Sequence, residues 1–309
     1  MIEFAQMRTM DIWYAHLSEE AIMSAIDTAL ASQKDKASKK AAAKGAKGAK
    51  KATAKARTRD SLQALSKLAE HVDGNYRIVS QPPIVIPVRE LAAFSSLSAD
   101  EVRHVIHEQF RSYRATLEDD RRHLLERFQV IDVARKVVGV GSVGTRAFIV
   151  LLQGRDQEDP LFLQVKEATT SVLEDHLPKS RYKQHGERVV RGQRMMQAAS
   201  DIFLGWTKGV EAGRFLYWRQ LRDMKGSVDV ETMTPFGLNF YAGLCGWTLA
   251  RAHARSGDPV AIAAYIGKSD GFDGSVVDFS ERYADQNDQD FQAFSDAVKS
   301  GRLEAVEGV

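Results

Sequence analysis

The residues that follow the glycines of "VVGVGSVGTRAFIVLLQGRDQEDPLFLQVKEA", Val137 to Ala168, constrain this chain most. Gly139, Gly141 and Gly144 have the spacing G-x-G-x-x-G. In a dinucleotide-binding fold a helix follows such glycines directly, because its N-terminus holds the pyrophosphate. Here Phe148 to Leu152 is short and apolar, a cluster of turn formers, "GRDQEDP", closes it, and "LFLQVKEA" resumes as another strand. The pattern predicts strand, glycine turn, strand, turn, strand, and hence an antiparallel sheet.

That order is the one used by protein kinases and their relatives, in which backbone amides of a glycine-rich hairpin cover the phosphates of ATP and a third-strand lysine pairs with them. Lys166 stands where that lysine is expected, and lysine is rarely buried without a partner. Gly139, Gly141, Ser142, Gly144 and Lys166 are therefore candidates for holding ATP with magnesium. The helix predicted around "RYKQHGERVVRGQRMMQAAS" offers Glu187 as the carboxylate that fixes Lys166, with Glu174 as the runner-up. Glu187 could equally pair with Arg191 one turn on. "DIFLGWT" and "RFLYWRQLRDMKGS" read as two more strands, and Arg219, Gln220 and Leu221 are candidates to line an adenine pocket.

The rest of the chain reads as mostly helical. Helices are expected over 10–31 and 60–71, then an extended "YRIVSQPPIVIPV" in which Pro82, Pro83 and Pro87 forbid a helix. A capping box, Ser98 with Glu101, opens a helix running to about Phe128, with Val102, Ile106, Phe110, Tyr113 and Leu117 on one face. His104 and His107 on that helix lack a third ligand and read as surface or packing residues. His253 is expected to pack or hydrogen-bond within its helix. Cys245, the single cysteine, lies among apolar neighbours and is expected to be buried; one cysteine excludes an internal disulfide and a cysteine-based zinc site.

The net charge of +2 hides an uneven distribution. Residues 34–59 carry eleven Lys or Arg against Asp35 alone. With no apolar stripe evident and lysines repelling one another, the segment is expected to be a mobile loop or frayed helix, either a solvated insertion or a contact for polyanions. No run of about 18 apolar residues and no signal peptide is present, so a cytoplasmic location with no membrane contact is expected.

"VGVGSVGTRAFIVLLQGRDQEDPLFLQVKEA", "ERVVRGQRMMQAASDIFLGW", "YWRQLRDMKGS" and "LCGWTLARAHARSGD", with "MRTMDIWYAHL" and "RTRDSLQALSKL" near the start, closely resemble a bacterial family catalogued as domain of unknown function 2252. The resemblance implies an α+β, protein-kinase-like fold of the aminoglycoside-phosphotransferase type, with a small antiparallel-sheet lobe and a helical lobe in an unusual order. Its expected parts here are a helical 1–129 with the basic insertion, a β-rich 130–226 and a helical 227–309. In fuller family members a Gly-Asp-x-His-x-x-Asn stretch and an Asn-Asp-Phe-Asp stretch, resembling a catalytic-base loop and a metal-binding aspartate, lie upstream of the equivalent of Met1. This sequence lacks both, so it is expected to be N-terminally truncated, with at best weak nucleotide binding and negligible turnover. In the conventional order Asp258 and Asp278 could instead be base and metal ligand. Asp258, however, precedes Pro259 and reads as a helix cap, and Asp278 sits in an acidic helical pattern. The acceptor of a phosphotransferase remains an unspecified small molecule, and the alternative is a non-catalytic ligand- or polyanion-binding protein.

Overall fold

The computed structural model describes residues 1–32, 36–92, 98–137, 144–221, 226 and 228–305. Along the chain run α1 (Ile2–Gln6), α2 (Thr9–Tyr14), α3 (Glu19–Ala31), α4 (Lys36–Arg57), α5 (Ser61–Leu68), β1 (Ala69–Val72), β2 (Asn75–Ile78), β3 (Val85–Pro87), α6 (Val88–Ala92), α7 (Ala99–Arg114) and α8 (Asp119–Leu125). The second half holds β4 (Gln129–Lys136), β5 (Ala147–Gln153), β6 (Pro160–Glu167), α9 (His185–Met196), β7 (Gly205–Lys208), β8 (Phe215–Gln220), α10 (Pro235–Ser256), α11 (Pro259–Ile266) and α12 (Gly271–Lys299). The fold is α+β, and β3-β4-β5-β6-β8-β7 form one sheet in which every pairing is antiparallel. Residues 147–153 are strand, so no helix follows Gly144 and the dinucleotide arrangement is absent.

Alternation along the strands gives the sheet two buried faces, each covered by an element from the first half of the chain. On one face Val150, Leu152, Leu161, Leu163, Val165 and Trp218 meet Phe110, Tyr113 and Leu117 of the α7 region. Tyr113 stacks on Trp218 with ring centres 4.5 Å apart, and its hydroxyl donates to the Phe203 carbonyl at 2.6 Å. On the other face Ala134, Ile149, Leu151 and Phe162 meet Ala64 and Leu65 of α5 and Ile78 of β2. The sheet thus depends on residues 64–125 to bury both its sides.

Several boundaries differ from those read in the sequence. The helix expected over 10–31 divides at Ser18, whose hydroxyl accepts from the Ala21 N–H and starts α3 anew. The helix expected to end near Phe128 divides after Arg114. There the Thr116 hydroxyl donates to the Tyr113 carbonyl and accepts from the Trp206 N–H, tying the break to β7. Residues 69–72 leave the helix expected over 60–71 and form a hairpin with β2, turned by Asp73 and Gly74 at φ 49° and 80°.

The basic segment corrects its expectation: residues 36–57 are a 22-residue helix packed on α3 and α10. Its buried side consists of small residues, with Ala46 8% exposed and Gly45 facing Phe236. Alanine's high helix propensity and that contact outweigh lysine repulsion. Cys245 is exposed, also against expectation; so is His253, whereas Arg251 two positions earlier is buried. His104 and His107 are exposed, and among the described residues no cluster of three metal-ligating side chains exists.

Candidate functional site

β6 is an interior strand, and the register places Lys166 opposite Ala147 of β5 and Tyr217 of β8. Side chains directly opposite one another share a face, as do alternate residues of one strand. Gln164 pairs with Arg219 and Tyr217 with Trp206, so Gln164, Lys166, Tyr217, Arg219 and Trp206 all project from one side of the sheet. Lys166 and Arg219 are diagonal neighbours, which puts their Cα atoms about 7–8 Å apart. Both are half-buried, and among the described residues neither forms an ion pair. Burial, and secondarily the Arg219 guanidinium, hold the Lys166 ammonium below the usual lysine range.

The neighbouring face carries the clamp that positions this strand end. Glu167 accepts from the Arg146 N–H at 3.0 Å and from the Arg214 guanidinium at 2.6 Å, and Arg146 in turn pairs with Glu211. Burial alone would raise the Glu167 pKa; the hydrogen bonds from Arg214 and from the Arg146 backbone outweigh it and hold the carboxyl below its ordinary range. This network joins the start of β5, the end of β6 and the β7–β8 turn beside Lys166. Gly144, at the start of that region, adopts φ +83°, a left-handed conformation that glycine takes without strain. Gly139, Gly141 and Ser142 lie outside the described residues.

The structure distributes the other candidates differently. Glu187 pairs with Arg191 at 3.4 Å, and Arg191 lies over the Trp206 ring at 5.3 Å, so the carboxylate serves its own helix and has no ion pair with Lys166. Glu174 is partly buried, with one carboxylate oxygen lacking a partner among the described residues. Gln220 projects from the opposite face, across from Leu163, and its N–H donates to Asp201 at 2.6 Å. Leu221 packs into the α5-covered core, so only Arg219 of that trio stands beside Lys166. Asp258 caps α11, accepting from the Val260 and Ala261 N–H groups at 2.9 and 3.1 Å. Asp278 sits on α12, which is exposed along nearly its whole length. The two aspartates are a cap and a surface residue.

Gln164, Tyr217 and the cationic role of Arg219 were missed in the sequence. Their signal was the two-residue spacing of Gln164 to Lys166 and of Tyr217 to Arg219, which becomes informative once the β6–β8 register is known.

The family model described as an uncharacterized protein conserved in bacteria, domain of unknown function 2252, matches residues 1–297. The chain belongs to this family. No curated protein and no solved structure matches it. The domain-of-unknown-function 2252 match covers the sheet, the α7 and α5 layers that bury it and nearly all of α12, so Lys166 and Arg219 belong to the matched body. Among its described residues no helix is long and apolar enough to cross a membrane.

Proposed function

We propose that this chain is the ATP-binding portion of a kinase-like small-molecule phosphotransferase. The observation that carries the reading is the juxtaposition of Lys166 and Arg219, half-buried on one sheet face with no carboxylate of the described residues neutralising them. Two partly desolvated cations repel each other, and an anion bridging them relieves that cost. A nucleotide triphosphate fits this chemistry. The order of parts supports it: a glycine-rich sequence between β4 and β5, a lysine on β6, then helix α9 before two further strands.

Lys166 and Arg219 would hold the phosphates, with Tyr217 and Gln164 available as hydrogen-bonding neighbours. ATP supplies the transferable phosphoryl group when bound. For magnesium the fit is poor: Asp258 and Asp278 are engaged or remote, and Glu187 is paired with Arg191. With no carboxylate of the described residues placed to hold the metal, this chain binds nucleotide with little turnover.

Calorimetric titration with ATP, with and without magnesium, tests it. Wild type is expected to bind, and Lys166→Ala or Arg219→Ala to weaken binding at least tenfold, since each removes a charge-assisted contact worth about 1.5–3 kcal/mol. Absence of binding at millimolar ATP, or variants that bind as wild type does, would overturn the reading.

A second reading rests on α4. Lys40, Lys44, Lys47, Lys51 and Lys55 are exposed and recur every three or four residues along one side of the helix. Such a stripe suits a run of phosphates, so contact with nucleic acid backbone is the alternative function. Replacing these five lysines by glutamine is expected to abolish salt-sensitive retention on double-stranded DNA while leaving ATP binding intact.

A further inference from the structure

Helix α12 is 29 residues long, and among the described residues only Ala297 on it is buried. Val276, Phe279, Tyr283, Phe291 and Phe294 are each between 46% and 67% exposed. At 100° per residue these five positions fall within about a third of the helix circumference. They form one apolar stripe, along which the Phe279 and Tyr283 rings are stacked. Most of the acidic residues, among them Asp278, Glu281, Asp285 and Asp296, occupy the other side. A stripe of this size standing in water marks an interface.

The spacing indicates what covers it. Counted outward from Asp285, the stripe is symmetric: Val276 and Phe294 lie nine residues either side, Phe279 and Phe291 six, Tyr283 and Asn287 two. An antiparallel copy of the same helix, related by a two-fold axis near Asp285, therefore sets Val276 against Phe294, Phe279 against Phe291 and Tyr283 against Asn287. From Val276 to Phe294 the intervals are three, four, four, four and three, an average of 3.6 residues, the period at which a stripe stays on one side of a straight helix. In that register Arg282, three residues before the axis, stands on the same flank as Asp290 of the second copy, five residues beyond it, opposite in charge and offset by about 3 Å along the helix. Four half-exposed rings and their aliphatic neighbours offer about 700 Å² per copy, within reach of the 1,200–2,000 Å² total of a standard stable interface.

We propose that the chain forms a two-fold dimer through antiparallel pairing of α12. The self-complementary pattern is what an isologous contact requires, because one surface must fit itself. The pairing is independent of the nucleotide reading.

Sedimentation equilibrium of the full 309-residue chain is expected to give a dimer at micromolar concentration. Phe279→Asp and Phe291→Asp, at exposed positions, are expected to give monomers with unchanged circular dichroism. Arg282→Glu is expected to weaken the dimer severalfold, and adding Asp290→Arg to restore it. In a Cys245→Ser background, a mixture of Tyr283→Cys and Asn287→Cys chains is expected to form an intermolecular disulfide that neither forms alone. A monomeric wild type, a dimer insensitive to both aspartate variants, or cross-linking by either single variant alone would overturn the proposal.

Discussion

Arg251 is 3% exposed and its guanidinium donates to the carbonyls of Trp13, Ala15 and Met196, joining α10 to the end of α2 and to the end of α9. Burial, followed by the nearby Arg255, lowers its pKa without neutralising it. Three carbonyls substitute for the missing counter-ion. Removing the side chain leaves all three acceptors without it in a water-poor site, and Arg251→Ala is expected to destabilise the protein by about 3 kcal/mol. Arg251→Lys keeps the charge but cannot reach three carbonyls, and it is expected to recover only part of the loss in denaturant titration. Lys166 carries a pH prediction. Because its pKa is lowered, the ammonium loses its proton at a lower pH than an ordinary lysine. Anion affinity is therefore expected to fall on the alkaline side, and Lys166→Arg to remove that fall. Glu167 has the opposite sign. Its depressed folded-state pKa contributes stability that is present above the unfolded value and lost as pH falls through the folded one. Glu167→Gln is expected to flatten that acid limb while lowering stability at neutral pH.

Among the elements, α9 approaches the sheet closely at Gly186. A Cβ there would stand 2.2 Å from the Leu216 carbonyl oxygen, a backbone atom that cannot step aside. Gly→Ala inside a helix ordinarily gains about 1 kcal/mol, but overpacking against backbone costs about 1–3 kcal/mol or more. The clash wins, and Gly186→Ala is expected to lower the melting temperature by several degrees, whereas Gly192→Ala, whose nearest neighbour is the flexible Met196 methyl at 3.9 Å, is expected to be neutral or stabilising. The same close approach brings Gln184 to the Thr207 carbonyl and the His185 ring edge-on to Phe215. α9 is thereby fixed at the β7–β8 edge, on which Arg191 covers Trp206.

Across the whole molecule, the succession of strands from β4 to β6, the turn after Gln153 and the N-caps at Ser98 and Asp258 were legible locally, because each rests on residues a few positions apart. The "VDGN" hairpin carried an equally local signal, a D-G turn, which the helical reading of 60–71 overrode. Helix α4 was misread because its buried side is made of alanine and glycine, which periodicity scales do not register as apolar. Cys245 was placed wrongly for a related reason: α10 has apolar residues around most of its circumference, so neighbours elsewhere in the chain choose its buried side. The amino-acid sequence was enough to place Lys166 on an interior strand beyond the glycine-rich stretch, since strand formation depends on short-range pattern. It could not say that Arg219 would stand beside that lysine, that Gln220 would face away, or that Glu187 would turn to Arg191. Those outcomes depend on β6–β8 register and on the packing of α9, where a one-residue shift sends every side chain to the other face.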